Sequence, residues 1–456
     1  MAIAPGIFRQ YDIRGIVGSD LTTEAAEAIG GAYAAYLREH DAPGAVVVSR
    51  DNRPNGVALR DALVAGLTRA GVDVVDIGVV PTPLNYWALH HLPVAGGIQI
   101  TGSHNPPEYN GFKLSVGTAS LHGEEIQRLF ALTQMERASA THTGVVRVTD
   151  VIDRYVDDVV ERVGRLSRPI RAVYDCGNGA GALVAPQLFA RLGLEGRGLF
   201  CESDGTFPNH HPDPTVPKNL EPLISAVRHD GAEIGIAFDG DADRIGIVDE
   251  SGGIVWGDRI LILYARDVLE RTGRGQPIIF DVKCSQALPA AVERAGGQPI
   301  MWKTGHSLIK DKMREMHAPI AGEMSGHMFF TEGFYGHDDA LYGAARLLRI
   351  LADAGRSVKQ LLADVPDFVS TPEIRIDVPE ELKFGLVERA VKHFRAQHDV
   401  IDVDGVRVLF GDGWGLIRAS NTQPVIVARY EASSAERLAA IQGEMEGWLR
   451  AQGVRV

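Results

Sequence analysis

The sequence predicts an α/β protein with three similar α/β domains, whose sheets are mixed but largely parallel, and a smaller C-terminal α+β domain. We expect these domains to surround a central cleft. Three observations support this prediction. A strand, a helix and a second strand follow one another in three separate parts of the chain. In each of these parts a later strand ends in a polar loop. The last part of the chain does not follow this pattern.

The repeated unit begins with a short apolar strand that ends in polar residues. These strands lie at residues 45–48, 171–174 and 277–280. A helical stretch follows each of them and ends near Gly71, Gly193 and Gly296 respectively. Strands that alternate with helices are typical of α/β layers with parallel pairing. The three units therefore predict three similar domains.

The last part of the chain has the composition of a small α+β domain. Strands are predicted at residues 373–376, 405–410, 415–419 and 424–430, a helix at residues 380–397, and a second helix at the end of the chain. We place the domain boundaries near residues 150, 251 and 370. The predicted domains are therefore residues 1–150, 151–251, 252–370 and 371–456.

Three polar loops occupy equivalent places in the three α/β units. They are residues 101–106, 239–244 and 322–327. Ligands of open α/β sheets bind beyond the carboxyl ends of the strands. If the units pack around one cleft, these loops face one another and form a common site.

The second loop carries three carboxylates, Asp239, Asp241 and Asp243, directly after the apolar run at residues 234–238. Acids at the end of a buried strand are costly unless a cation neutralises them, and this density of oxygen ligands suits Mg2+. One alternative is a plain turn with solvated acids. An EF-hand loop is set aside, because Arg244 occupies its sixth position, where glycine is needed, and the flank is a strand.

Composition narrows the class of protein. The chain has 456 residues with 45% hydrophobic and 23% charged residues, as in a globular protein of several domains. The formal net charge of -13 argues against a nucleic-acid partner and requires a locally positive cleft for an anionic substrate. Three scattered cysteines predict a reducing, cytoplasmic setting. A signal peptide and a membrane-spanning segment are not expected.

Six motifs in order resemble the α-D-phosphohexomutase family, over nearly the whole chain. They are residues 11–15 (YDIRG), 101–106 (TGSHNP), 110–113 (NGFK), 239–244 (DGDADR), 322–327 (GEMSGH) and 418–424 (RASNTQP). The loop at residues 322–327, with Met324 between Glu323 and Ser325, is most similar to that of the bifunctional phosphomannomutase/phosphoglucomutase branch. The glucosamine branch tends to carry Gln at that place.

The resemblance implies a reaction and the residues that would perform it. A phosphoryl group moves between O1 and O6 of a hexose phosphate, through a phosphoserine and a hexose 1,6-bisphosphate that also serves as activator. Ser103 would be the phosphoserine. Mg2+ would be held by Asp239, Asp241, Asp243 and an oxygen of phospho-Ser103. We expect a monomer, with a dimer as the alternative, and no membrane partner.

Several side chains are candidates for moving protons and stabilising charge. Lys113, His306 and His327 are the candidate acid or base groups, and the sequence leaves the choice among them open. His104 adds a hydrogen-bond donor beside Ser103. Arg14 adds positive charge near the phosphoryl group. Arg244 either holds the phosphate or pairs with the neighbouring acids.

Other residues are expected to hold the substrate. Glu323 and Ser325 can bind sugar hydroxyls, and a site that reads O3 and O4 would accept both mannose and glucose. The resemblance adds Tyr11, Lys283 and His327 to this group. The non-transferring phosphate is expected at a loop of cationic and small polar side chains, Arg418, Ser420, Asn421 and Thr422.

Three alternatives of function stay open. A Mg-dependent phosphatase would use Asp239 as nucleophile and would not need Ser103. A glucosamine-phosphate mutase would belong to the same family. A silent protein would bind sugar phosphates without converting them. Residues 177–182 and Asp204 imitate a dinucleotide fingerprint, but we interpret this segment as a tight turn that opens a helix.

Overall fold

The computed structural model describes residues 3–135, 140–421 and 423–456, and it contains four β-sheets. The first sheet has seven strands: β1 (Ile13–Ile16), β2 (Ala45–Arg50), β3 (Val74–Val79), β4 (Val94–Ile100), β5 (Tyr109–Val116), β6 (Ala119–Ser120) and β7 (Val146–Val148). Its helices are α1 (Thr23–Glu39), α2 (Gly56–Arg69), α3 (Thr82–His91) and α4 (Glu124–Thr133). The consecutive residues Val46, Val47 and Val48 are fully buried, as expected for a strand covered by helices on both faces.

The second and third sheets are smaller versions of the first. The second contains β8 (Arg171–Asp175), β9 (Glu195–Leu199), β10 (Ile234–Phe238), β11 (Ile245–Asp249) and β12 (Ile254–Val255), with helices α5 (Ile152–Val163), α6 (Ala185–Leu192) and α7 (Glu221–Asp230). The third contains β13 (Pro277–Asp281), β14 (Gln298–Trp302), β15 (Ile320–Gly322) and β16 (Met328–Phe330), with helices α8 (Gly257–Thr272), α9 (Ala287–Ala295), α10 (His306–Met316), α11 (Ala340–Ala354) and α12 (Val358–Leu361).

The predicted polar loops join the same kind of strand pair in all three sheets. In each case a strand with a parallel neighbour, β4, β10 or β15, is followed by an antiparallel one, β5, β11 or β16. Each loop is therefore the turn of an antiparallel pair at the carboxyl end of a parallel strand. The prediction of three similar α/β domains with mixed sheets is confirmed.

The fourth sheet is wholly antiparallel, and two helices pack on it. Its strands are β17 (Val369–Ser370), β18 (Ile374–Asp377), β19 (Asp399–Ile401), β20 (Val406–Leu409), β21 (Gly413–Ala419) and β22 (Val425–Ala432); its helices are α13 (Glu380–Arg395) and α14 (Ala435–Ala451). The predicted α+β class of this part is confirmed. The short strands β17 and β19 were not predicted.

The apolar cores show how the parts are joined. One continuous core runs from Val47 in the first sheet to Val365 after the third, while the fourth sheet has a separate core of its own with α13 and α14. The strands change from one sheet to the next between β7 and β8, β12 and β13, and β16 and β17. The boundaries near residues 150, 251 and 370 stay predictions. Within the described ranges, no helix has both the length and the apolar character needed to cross a bilayer.

Candidate active site

Ser103 lies in the loop between β4 and β5, where its backbone adopts the left-handed conformation with φ of 50°. Its side chain is 3% exposed, and its amide donates a hydrogen bond of 2.8 Å to Thr101 Oγ1. Ser103 Oγ donates to Asp239 Oδ2 at 3.1 Å and lies 3.1 Å from His104 Nδ1. This oxygen therefore stands between a carboxylate of the second loop and an imidazole of its own loop.

Arg53, which the sequence analysis did not single out, organises the Ser103 loop. Its Nη2 donates to the backbone oxygens of Ser103 at 2.7 Å and Asn105 at 2.6 Å, and its Nη1 donates to those of Pro106 and Tyr109. Asp51 balances the charge of Arg53. The signal available in the sequence was the polar segment that ends β2.

Asp239, Asp241 and Asp243 are fully buried, and one ligand atom from each lies within 4.8 Å of the others. Burial raises the pKa of Asp239 well above its ordinary range, and repulsion from the other two carboxylates adds to this effect. No described side chain or backbone group donates a hydrogen bond to Asp241 Oδ1. A buried all-oxygen cluster with a free lone pair fits Mg2+.

Lys113 is the protein's own countercharge to this cluster. Its Nζ donates to Asp241 Oδ2 at 3.1 Å and also pairs with Asp243. Burial would lower the pKa of Lys113, but the two carboxylates outweigh it and hold the pKa well above the ordinary value. Lys113 is therefore a charged ammonium in this arrangement, and it can donate a proton but not accept one.

His327 connects the third loop to the second. Its Nε2 lies 3.2 Å from Asp243 Oδ1, and its Nδ1 lies 2.7 Å from Glu323 Oε2. Burial disfavours the imidazolium, but Asp243 and Glu323 together raise the pKa of His327 to about 9. Burial likewise opposes ionisation of Glu323, yet the hydrogen bond with His327 lowers the pKa of this carboxyl to about 2. Both groups are charged at neutral pH.

Two other histidines of the cleft are neutral. Burial lowers the pKa of His104 well below the ordinary value, and the charges of Arg244 and Arg14 lower it further. Burial and the nearby Lys310 do the same for His306, which lies 3.6 Å from Asp338. Among the described residues His306 Nδ1 has no hydrogen-bond partner. These two imidazoles are therefore available to accept protons.

The two predicted arginines take different positions. Arg14 donates to Gly102 O at 3.2 Å and to Asn105 Oδ1 at 2.6 Å, so it holds the Ser103 loop from the cleft side. Arg244 Nε lies 3.3 Å from His327 Nε2, and the Arg244 backbone amide donates to Asp239 Oδ1. Both guanidinium groups border the cleft, where they can also reach an anion.

The predicted phosphate loop meets the first and third parts of the chain. Asn421 Nδ2 donates to Tyr11 OH at 2.6 Å, and Tyr11 OH donates to Thr304 O at 2.7 Å. Arg418 pairs with Asp404 at 2.9 Å. Thr422 lies outside the described residues. Lys283 Nζ pairs with Glu373 Oε2 at 3.1 Å across the boundary between the third and fourth sheets.

One cleft of about 1040 Å³ brings these groups together. The predicted site residues that line it are Tyr11, Arg14, Ser103, His104, Lys113, Arg244, Lys283, His306, Glu323, Ser325, His327, Arg418, Ser420 and Asn421. Its lining holds eight Lys or Arg residues and five Asp or Glu residues. The lining thus carries more cationic than acidic side chains in a protein of net charge -13, as an anionic substrate requires.

Comparison with known proteins identifies the family of this chain. Four family models match consecutive parts of the chain: phosphoglucomutase/phosphomannomutase alpha/beta/alpha domains I (residues 5–138), II (153–253) and III (256–368), and the C-terminal domain (373–447). The chain belongs to the phosphoglucomutase/phosphomannomutase family.

Individual relatives share most of their length with this chain. It is 48% identical to a phosphomannomutase/phosphoglucomutase of Pseudomonas putida, over 97% of this chain and 95% of the relative. It is 45% identical to a phosphoglucomutase of Neisseria gonorrhoeae, over 98% and 97% of the two chains. A crystal structure of a family protein from Burkholderia thailandensis superposes with a TM-score of 0.91 at 45% identity, covering 98% of both chains. The prediction of an enzyme of this class, an isomerase, is confirmed.

Proposed function

We propose that this chain interconverts the 1-phosphate and 6-phosphate of glucose and mannose through a phosphoserine at Ser103 and a hexose 1,6-bisphosphate. The observation that supports the proposal most directly is the position of Ser103 Oγ. It lies on the wall of a positively lined cleft, 3.1 Å from a carboxylate of a buried acidic cluster. A nucleophilic oxygen, a cation-binding cluster and a cationic cleft are the parts that phosphoryl transfer needs.

Asp239, Asp241, Asp243 and an oxygen of phospho-Ser103 would hold Mg2+. When bound, the ion neutralises negative charge on the phosphoryl group. Lys113 is the group that now balances Asp241 and Asp243. We expect its ammonium to be released toward the substrate when a divalent cation takes over that role.

The proton transfers are divided between neutral and charged groups. His104 Nδ1 is close enough to exchange a proton with Ser103 Oγ, whose hydroxyl must be regenerated after it gives up the phosphoryl group. The sugar hydroxyl that attacks must lose a proton, and the neutral imidazole of His306, which lines the cleft, would accept it. Lys113 and His327 stay cationic and stabilise the transferring charge. Arg14 and Arg244 add two further positive groups.

The rest of the cleft would hold the hexose by both ends. Glu323 and Ser325 lie beside His327 and offer an acceptor and a donor to sugar hydroxyls. Arg418, Ser420 and Asn421, with Thr422 beside them in sequence, would bind the phosphate that is not transferred. Lys283 and Tyr11 line the same cleft. Binding from both ends lets the bisphosphate intermediate turn around and present its other phosphate to Ser103.

The chain's relatives at similar identity carry both substrate names, phosphomannomutase/phosphoglucomutase and phosphoglucomutase. This supports glucose phosphate as a substrate, with mannose phosphate as the second one.

The test is a coupled assay of glucose 1-phosphate, mannose 1-phosphate and N-acetylglucosamine 1-phosphate, with Mg2+ and a trace of the 1,6-bisphosphate. We expect turnover of the first two, dependence on the bisphosphate, and loss of turnover in Ser103→Ala. Release of inorganic phosphate that survives Ser103→Ala but not Asp239→Asn would instead identify a phosphatase. Conversion of N-acetylglucosamine 1-phosphate alone would identify the glucosamine branch.

A further inference from the structure

The segment that carries Lys283 is held by two arginines of the fourth sheet. Residues 282–284 follow β13, and all three of their backbone oxygens accept hydrogen bonds from these guanidinium groups. Arg407 Nη1 donates to Val282 O and to Cys284 O, at 2.7 Å each. Arg429 Nη1 donates to Lys283 O. The backbone position of Lys283 therefore depends on a sheet other than its own.

The contact of Arg407 with residues 282–284 is buried and has a specific geometry. Arg407 is 1% exposed, and its guanidinium carbon lies 3.7 Å from the centre of the Trp414 ring. Trp414 packs with Val282 in a small apolar cluster between the two sheets. Trp414 Nε1 donates to Glu431 Oε1, which also accepts from the amide of Gln286. The guanidinium stacks on the indole while one of its nitrogens, Nη1, bridges two carbonyl groups, so Arg407 ties Trp414 and both carbonyls together.

The same strands carry the predicted phosphate-binding group. Arg407 lies on β20 opposite Leu416 of β21, and Arg418 follows two residues later on β21. Arg418 lines the cleft, whereas Arg407 does not. Arg429 contacts Met324 Sδ at 2.5 Å, within the loop that holds Glu323 and Ser325. One pair of strands thus sets the spacing between Arg418 and the Lys283 segment.

We infer that Arg407 is a positioning residue that seats the Lys283 backbone on the fourth sheet, and that it thereby fixes Lys283 relative to Arg418 for binding of the hexose phosphate. Arg407 acts through Lys283 and does not touch substrate. The inference rests on the proposed function, because the position of Lys283 matters to turnover only if the cleft binds a sugar phosphate.

The test is a double-mutant cycle of Arg407→Met and Lys283→Met, with KM for glucose 1-phosphate and the unfolding temperature as readouts. We expect Arg407→Met to raise KM about tenfold, as loss of one charge-assisted hydrogen bond would. In the Lys283→Met background the same change should raise KM less than about twofold, because the group that Arg407 positions is gone. The fall in unfolding temperature should be equal in both backgrounds.

Two further variants keep the test decisive. If Arg407→Met does not fold, Arg407→Lys retains the charge and the cycle is repeated with it. Leu449→Ala, in the separate core of the fourth sheet, serves as the control that lowers the unfolding temperature and leaves KM unchanged. Additive effects of Arg407 and Lys283 on KM would overturn this inference alone. An unchanged KM in Lys283→Met would show that Lys283 does not bind the substrate and would also overturn the inference. A wild-type protein without turnover would instead contradict the proposed function.

A separate observation concerns two free cysteines of the second sheet. Cys176 follows β8 and Cys201 follows β9, which are parallel neighbours, and their Sγ atoms lie 2.9 Å apart. Neighbouring strands are about 5 Å apart, which is within the range of Cα distances that a disulfide bridges. Cys176 is buried, whereas Cys201 is partly exposed and open to a small oxidant. The third cysteine, Cys284, lies after β13 of the third sheet.

We propose that Cys176 and Cys201 form a reversible disulfide when the protein meets a peroxide. The thiolate of Cys201 attacks one peroxide oxygen and becomes a sulfenic acid, and one water is released. The sulfur of Cys176 then attacks the sulfenic sulfur, the S–S bond forms, and a second water leaves. In total, two thiols are oxidised to one disulfide, and one hydrogen peroxide is reduced to two waters.

Peptide mass mapping after treatment with hydrogen peroxide tests this pairing. We expect a 176–201 cross-link with loss of two hydrogen atoms, reversed by dithiothreitol, present in Cys284→Ser and absent in Cys201→Ser. Unmodified thiols, or oxygen added to Cys201 without a cross-link in the folded protein, would overturn the proposal.

Discussion

At the scale of single residues, the site is a set of buried charges whose partners come from distant parts of the chain. The carboxylates of the acidic cluster are fully buried, and Lys113 reaches them from the first sheet. Thr82 adds a hydrogen bond to Asp241 at 2.5 Å. Removal of one partner from such a cluster leaves a buried charge uncompensated, which costs far more than the pair contributes.

Arg53 is the single residue on which the shape of the Ser103 loop depends most. It donates to four backbone oxygens of that loop and is fully buried. We expect Arg53→Lys to lower kcat/KM at least about 100-fold, because one ammonium cannot bind both pairs of carbonyl groups and the nucleophile is then misplaced. Steady-state kinetics at saturating bisphosphate measure this effect.

Arg60→Lys is the matched control, since Arg60 lies on the nearby α2 and pairs with Asp61 and Asp76 outside the cleft. It should change kcat/KM less than about twofold. Equal losses in the two variants would show that Arg53 acts through overall stability alone.

Glu373 contributes stability that depends on pH. Lys283 lowers the pKa of Glu373 to about 2 from an ordinary value of 4.5. Because the folded state lowers this pKa, the stabilisation is present above about pH 4.5 and is lost as the pH falls toward about 2. We expect Glu373→Gln to lower the unfolding temperature by about 2–6 °C near neutral pH.

The difference between Glu373→Gln and the wild type should shrink steadily as thermal melts are recorded from about pH 5 to about pH 3.5. Glu39→Gln removes an exposed pair with Arg128 and should shift the melt by less than about 1 °C at every pH. A Glu373→Gln difference that stays constant over this range would contradict the assigned ion pair.

Sequence reasoning reached those residues whose type and spacing carry a signal. The alternate acids after an apolar run predicted the cluster at Asp239, Asp241 and Asp243, which the structure brings together. Ser103 was reached through the motif around it. Arg53 was missed because a single arginine after a strand is ordinary, and its partners lie about fifty residues further along the chain.

At the scale of elements, the site depends on loops that approach one another without side chains between them. Gly240 lies in the loop at residues 239–244, which we call the acidic loop, and packs against the backbone of Ser103. The carbonyl of Gly240 accepts a hydrogen bond from the amide of Ala180 at 2.9 Å. The segment at residues 177–182 is thus a turn that supports the acidic loop. The loop that carries Ser103, the loop at residues 239–244 and the segment at residues 177–182 thus meet at Gly240.

Gly240→Ala should therefore separate the acidic loop from the Ser103 loop. The added Cβ would lie 2.4 Å from Ser103 O, a backbone atom that cannot move aside alone. We expect kcat to fall at least about 100-fold, since a displacement of about 1 Å at the reacting atoms is enough for such a loss. Kinetics together with a thermal melt measure the effect.

Gly443→Ala is the control, because the site of its Cβ on α14 is open. It should leave kcat unchanged and stabilise the protein by about 0.5–1 kcal/mol through helix propensity. A fully active Gly240→Ala would show that the two loops do not need their close approach.

The elements themselves were largely predictable, and their pairing was less so. The strands at residues 45–48, 171–174 and 277–280 appeared as apolar runs and lie within β2, β8 and β13. Helices α6 and α9 are followed by Gly193 and Gly296, both in the left-handed conformation that favours glycine. The antiparallel strands β5, β11 and β16 could not be told from parallel ones, because local patterning does not encode the direction of the partner.

At the scale of the whole molecule, the cleft is held by contacts between residues that are hundreds of positions apart. Tyr11 OH links Thr304 and Asn421, which belong to three different parts of the chain. His122 of the first part also pairs with Asp311 of the third at 2.5 Å. Side-chain contacts thus join the first, third and fourth parts of the chain to one another.

Tyr11→Phe should weaken substrate binding without a large change in the fold. It removes the hydrogen bonds by which Tyr11 joins Asn421 of the predicted phosphate loop to Thr304, so we expect KM for glucose 1-phosphate to rise about 5- to 20-fold. Tyr36→Phe removes a hydroxyl that contacts Glu125 away from the cleft and should leave KM unchanged. An unchanged KM in Tyr11→Phe would mean that the loop is placed by other contacts.

The central claim is that Ser103 carries the phosphoryl group. The most direct measurement is the intact mass of the purified protein before and after incubation with glucose 1,6-bisphosphate and Mg2+, followed by peptide mapping. The account predicts the added mass of one phosphoryl group, located on Ser103, transferred to glucose 1-phosphate on its addition, and missing in Ser103→Ala. A Ser103→Ala protein that still interconverts glucose phosphates at the wild-type rate would contradict it.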